Sequence, residues 1–212
     1  MMLRCLALLT GLLAGVSFAC AHPHVFVAAK AEVLYDGAGN VLGVNHVWTF
    51  DEAYSAFATV GFPKGADGKI EASKLAELAK VNVESLVDFG YFTEAKTSGR
   101  KVEFAAPQNY RMEENGNAVT LFMTLPLKKP VLGKTFSIEV SDSSFFVAFS
   151  FDAAADAVVL SRAPQGCTVS VNRPKGEDLS AFTKLSDQTF LQLPNKSEIS
   201  GAFSNRAIIA CP

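Results

Sequence analysis

HVFVAAKAEVLY (residues 24–35), DGAGN (36–40) and VLGVNHVWTF (41–50) read in order as a strand, a turn and a returning strand. Apolar and polar residues alternate with period two on both flanks, and valine is frequent, as a half-buried strand requires. The glycines and Asp36 between them make a turn cluster. Side chains at i and i+2 share a face, so His46, Trp48 and Phe50 belong to one side of the second strand. Centring the turn on Ala38 pairs Tyr35 with Val41. The same count sets His24 opposite Glu52, and His46 opposite Lys30, roughly 20 Å along the strand from His24.

Downstream, Asp51 or Thr49 can cap a helix over 52–60. A loop at 63–68 leads into EASKLAELAKVNVESLV (71–87), whose 3.6-residue spacing puts Leu75, Leu78 and Ala79 on one helical face. Beyond Phe89 the pattern predicts strands at 90–96, 101–106, 109–114, 118–125, 134–141, 145–151, 157–162, 167–172 and 207–211. Asn115-Gly116 reads as a tight hairpin turn, Lys128-Lys129-Pro130 as a loop, and 177–185 as a short helix. The expected fold is α+β: predominantly antiparallel β, with an N-terminal hairpin and an early helical insertion.

Upstream, residues 1–21 have the parts of a secretory signal: Arg4, the apolar run Cys5–Phe18, and Ala19-Cys20-Ala21 as a cleavage site. The apolar run falls short of the roughly 20 residues that span a bilayer. Cleavage after Ala21 leaves a periplasmic domain over 22–212. Lipidation at Cys20 is the competing reading, although Ser17 and Phe18 fit a lipobox poorly. Of four cysteines, Cys167 and Cys211 would remain, and in an oxidising compartment they are expected to pair.

The chain carries a formal net charge of −2 and no basic patch of the kind nucleic acid needs. It holds no G-x-S-x-G, no H-E-x-x-H and no phosphate-binding glycine loop. It is therefore not expected to be an enzyme.

Its only three histidines are His22, His24 and His46. Trimming after Ala21 would give His22 a free amine beside its imidazole. Such groups ordinarily titrate at about 7.7–8.0 and about 6.5, so both can release protons to a metal. Pro23 has no N–H to surrender, which excludes the square-planar mode that uses the second residue's amide. Pro23 instead favours an extended chain, in which His22 and His24 share a face. The resulting candidate shell is His22, His24, Asp51 and Glu52, with His46 the least secure member. Nitrogen donors suit Zn, Ni, Co or Cu over Ca or Mg. The alternatives are plain: solvated terminal histidines, Asp51 as a helix cap, and His46 packed beside Trp48.

The opening AHPHVFV, the segment HVWTFDEAYSAF (46–57) and FGYFT (89–93) resemble the DUF1007 family of bacterial periplasmic proteins. The resemblance extends through TLFMTLPLKKP (120–130) and the stretch from Asp142 to Phe149. It implies a periplasmic component of nickel, cobalt or zinc transport that works beside an integral-membrane metal permease. It places His22, His24, Trp48, Phe50, Asp51 and Glu52 at matching positions. One departure concerns the loop before the second helix, where Pro63, Gly65 and Lys74 replace the calcium ligands of an EF-hand-like loop. Two other functions fit the residues: an N-terminal-histidine copper protein with oxidative activity, and a metal-free secreted interaction module.

Overall fold

The computed structural model describes residues 23–153, 156–173 and 204–212. The leader, His22 and the expected helix at 177–185 lie outside them. Strand β1 (Val25–Tyr35) and strand β2 (Asn40–Phe50) form the expected antiparallel hairpin. Alternation decides its faces: every second residue of β1 from Val25 to Tyr35 is buried.

Tyr35 faces Val41, but Leu42 is then an extra residue in β2. Beyond this bulge Leu34 pairs with Gly43, Ala31 with His46 and Val27 with Phe50. The cause lies across the sheet, where a Cβ on Gly43 would meet Leu125 O and Pro126 Cα at 2.7 Å. A one-residue slip exchanges the two faces of a strand. His46 therefore points into the core beside Ala31, not outward beside Lys30, and His24 does not face Glu52. The register expected from a centred turn is corrected on both counts.

Helix α1 (Glu52–Ala58) and helix α2 (Ala72–Ser85) follow, and α2 runs on into a 3-10 segment at Leu86–Phe92. Gly90, Tyr91 and Phe92 all have positive φ. This ends the helix and delays β3 (Thr93–Thr97) by three residues relative to the sequence expectation. The later strands are β4 (Arg100–Val102), β5 (Gln108–Asn115), β6 (Ala118–Leu132), β7 (Thr135–Val140), β8 (Val147–Phe151), β9 (Val158–Ser161), β10 (Thr168–Asn172) and β11 (Asn205–Ala210). The β5–β6 turn is Gly116-Asn117, one residue on from the expected pair, with Gly116 at φ 63°.

Lys128-Lys129-Pro130 is not a loop but part of β6. The partners of β2 jump from Val131 to Pro126 between Val41 and Gly43. Residues 127–130 thus bow out as a bulge, where Pro130 leaves no ladder bond unmade.

The first sheet runs β5-β6-β2-β1-β8, with β9 also on β1. Strands β8 and β9 lie parallel to β1, end to end along its free edge. This sheet is therefore mixed. The second sheet, β10-β11-β7-β3-β4, is antiparallel throughout. The fold is α+β, as expected.

One core serves both sheets. Phe136, Ile138 and Val140 of β7 and Ala207 and Ile209 of β11 join the inward residues of β1, β2 and β6 in a single cluster. Leu75, Ala79 and Val83 of α2 extend it along β5. Buried Asn205 ties β11 to β8: its Oδ1 accepts from Phe151 N at 2.7 Å and its Nδ2 donates to Phe149 O at 2.7 Å. Cys167 and Cys211 form the expected disulfide beside β10 and β11. Among the described residues no helix is long and apolar enough to cross a membrane.

Candidate functional site

The amino-terminal end of the hairpin is built around Asp51. Its Oδ2 accepts from Phe26 N at 2.7 Å and its Oδ1 from Tyr54 N at 2.9 Å. One carboxylate thus fixes the entry of β1 and caps α1. Asp51 N in turn donates to Phe26 O at 2.9 Å, continuing the hairpin ladder. Replacing Asp51 with alanine should destabilise the protein by about 1–3 kcal/mol in urea titration, since a cap and a second backbone N–H lose their acceptor together. The Asp51→Asn variant, with one remaining acceptor oxygen, should fall between. A loss below about 0.5 kcal/mol in Asp51→Ala would contradict this reading.

His24 is exposed in the bend immediately before β1, whose outward face carries Phe26. Its backbone N donates to Phe146 O at 2.9 Å, and its ring centroid lies 4.9 Å from that of Phe146. His24 and Asp51 therefore sit at the same end of one strand pair. Glu52 does not join them. It lines a surface groove with Lys64, Glu114 and the β5–β6 turn, on the β6 flank of the hairpin, whereas Phe146 marks the β8 flank. Among the described residues, no three His, Cys, Asp or Glu side chains come together as a metal cage.

His46 is a core residue, 1% exposed. Its Nε2 lies 3.3 Å from Thr93 Oγ1, and its ring 5.3 Å from that of Trp48. Thr93 Oγ1 donates to Tyr91 O at 2.9 Å. With that proton committed, the hydroxyl accepts from an Nε2–H, and Nδ1 is the bare nitrogen. Burial lowers the His46 pKa to about 3 and keeps the ring neutral. Nδ1 and the neighbouring Trp48 Nε1 are buried without a hydrogen-bond partner.

Sequence reasoning missed a second feature, an aromatic pocket between the inward face of the first sheet, the end of α2 with its 3-10 segment, and the loop before β8. Its rings touch in series: Trp48 to Phe149 at 4.9 Å, Phe149 to Phe92 at 5.4 Å, and Phe92 to Phe89 at 5.4 Å. Phe50 stacks on Tyr54 at 4.6 Å on another wall. Tyr91, Phe92 and Phe145 hold positive φ around it. Non-glycine residues pay about 1–3 kcal/mol each for such backbone. The available signal was the phenylalanine-rich FGYF and SFFVAF segments, which read simply as strand.

The family described as "protein of unknown function (DUF1007)" matches residues 6–211, nearly the whole chain. The chain belongs to the DUF1007 family. The DUF1007 match takes in the His24–Asp51 end, the buried His46 and every residue of the aromatic pocket. No curated protein matches the chain.

Proposed function

We propose that this DUF1007 protein is a periplasmic metal-binding protein, an accessory component of a nickel, cobalt or zinc transport system that works with an integral-membrane permease. The observation that carries the reading is the station of His24: an exposed residue in the bend immediately before β1, two residues from the terminus that cleavage after Ala21 would create. A terminal His22 would add an amine and a second imidazole on the same side of an extended chain. Nitrogen donors of this kind take borderline divalent cations.

The shell is His22 and His24, with Asp51 at the same strand end. Each Asp51 oxygen holds a backbone N–H and retains a lone pair. Glu52 and His46 stand apart, so the protein supplies few ligands. A site so open suits exchange with a partner better than permanent storage. The Cys167–Cys211 disulfide is in keeping with an oxidising compartment.

The test is isothermal titration of processed protein, its His22 terminus verified by amino-terminal sequencing, with Ni, Co, Zn and Cu. Micromolar or tighter binding of at least one ion is expected, weakened by about tenfold or more in His22→Ala and His24→Ala. Binding no tighter than millimolar for all four ions, indifferent to both substitutions, would overturn the proposal.

A further inference from the structure

The charge lining the aromatic pocket is of one sign. Asp142 is its single charged side chain, and no lysine or arginine lines it. Asp142 is 7% exposed. Its Oδ1 accepts from Ser144 N at 2.8 Å and from Ser144 Oγ at 2.7 Å, and its Oδ2 accepts from Val147 N at 3.0 Å, with Ser144 Oγ also 2.9 Å from Oδ2. These bonds hold the carboxylate in place, but none brings a positive charge. Among the described residues Asp142 forms no ion pair. Hydrogen bonds offset part of the cost of burying this charge, and a cation in the pocket would offset more of it.

The rest of the lining decides what kind of cation fits. Rings of Trp48, Phe50, Tyr54, Phe89, Phe92 and Phe149 line the pocket. Aromatic rings attract cations electrostatically and also accept an apolar coat. A bare metal ion would find one carboxylate, both of whose oxygens already hold Ser144 or Val147, and otherwise only the neutral side-chain oxygens of Tyr54, Asn82, Ser85 and Ser144. An anion would meet Asp142. A neutral apolar body would leave the carboxylate against hydrocarbon. An ammonium group clothed in alkyl carbons satisfies both the rings and the charge.

We propose that this pocket, formed by the aromatic rings around Trp48 and the buried carboxylate of Asp142, which has no ion-pair partner among the described residues, binds a small organic cation of the quaternary-ammonium class. The positive φ of Tyr91 and Phe92 supports the assignment. Strained backbone persists where surrounding structure holds it, and here it carries Phe92 to the pocket wall. The site adjoins His24 through Phe146, which lines the pocket and lies 4.9 Å from the His24 ring, but it uses no histidine and does not rest on the amino-terminal metal reading.

Trp48 is the chain's only tryptophan, so its emission reports directly on filling of the pocket. The purified protein is titrated with choline and, in parallel, with 3,3-dimethylbutan-1-ol, its uncharged isostere. Choline is expected to change Trp48 emission saturably, and the isostere to bind at least about tenfold more weakly. Phe89→Ala, at an exposed pocket residue, should weaken choline about tenfold. Asp142→Asn should erase the preference for the charged ligand. Should Asp142→Asn not fold, the comparison of choline with its isostere still decides. An emission change with neither compound overturns the proposal, and so does equal binding of the two. Neither result bears on metal titration at His22 and His24.

Discussion

Between pH 7 and pH 4 the fold is expected to lose about 3 kcal/mol of stability through His46 alone. An unfolded chain exposes this imidazole at its ordinary pKa of about 6.5, while burial in the folded protein holds it at about 3. The sign follows from proton uptake. Below about pH 6.5 the unfolded state binds a proton that the folded state refuses. Stability from the neutral ring is complete above the unfolded value. It falls by roughly 1.4 kcal/mol per pH unit as the pH drops toward the folded value, and is flat beneath it. The surroundings reinforce this, because the ring's neighbours are Trp48 and Thr93 and neither supplies negative charge.

Urea titrations from pH 7.5 to pH 4 on wild type and His46→Gln measure the effect. Glutamine keeps a donor for Thr93 and cannot titrate. Carboxylates held low, Asp36 by the Asn40 side chain and Glu103 by Lys128, contribute equally to both proteins, so the difference between the two slopes isolates His46. Identical slopes would show that the ring is not held neutral.

Removing the Cys167–Cys211 bond should cost about 2–4 kcal/mol. The cysteines are 44 residues apart, and closing a loop of that length restricts the unfolded chain by about 4 kcal/mol on the chain-entropy argument. The folded side is well placed to keep this benefit. Thr168 at the start of β10 pairs with Ala210 at the end of β11, so the sulfurs join two strand ends already side by side. Cys211 is also anchored through its N to Lys134 O at 2.8 Å. The double variant Cys167→Ser/Cys211→Ser avoids leaving a lone thiol. Its unfolding midpoint, compared with wild type under non-reducing conditions, gives the loss. A change under about 1 kcal/mol would mean that the bond restrains little beyond what the β10–β11 ladder already holds.

Much of the fold was legible because alternation in a half-buried strand is a strong signal. The hairpin limits, the grouping of His46, Trp48 and Phe50 on one face, and a cap at Asp51 or Thr49 came from local pattern, while the disulfide came from the count of cysteines left beyond the leader. What escaped depends on neighbours distant in sequence. Gly43 looks like an ordinary glycine until β6 crosses it too closely for a Cβ. The resulting bulge moves His46 to the opposite face. Lys128-Lys129-Pro130 has loop chemistry, yet β6 carries it as an interruption. Alternation has no direction, so nothing marked β8 and β9 as parallel to β1. The candidate site divides the same way. His24 was found by its place beside a cleavage motif. The aromatic pocket draws on residues from Val25 to Phe149, and only packing brings them together.

The parallel partners of β1 have a consequence for how the molecule reaches its native state. Val25 pairs with Val147, and Ala31 with Val158, so the strand synthesised first waits for partners that emerge far later. Contacts this remote in sequence slow folding, since the chain must close long loops before they are rewarded. Until then one edge of the hairpin remains open to any passing strand. A chain of this design is expected to gain from any factor that shields that edge until its distal third has arrived.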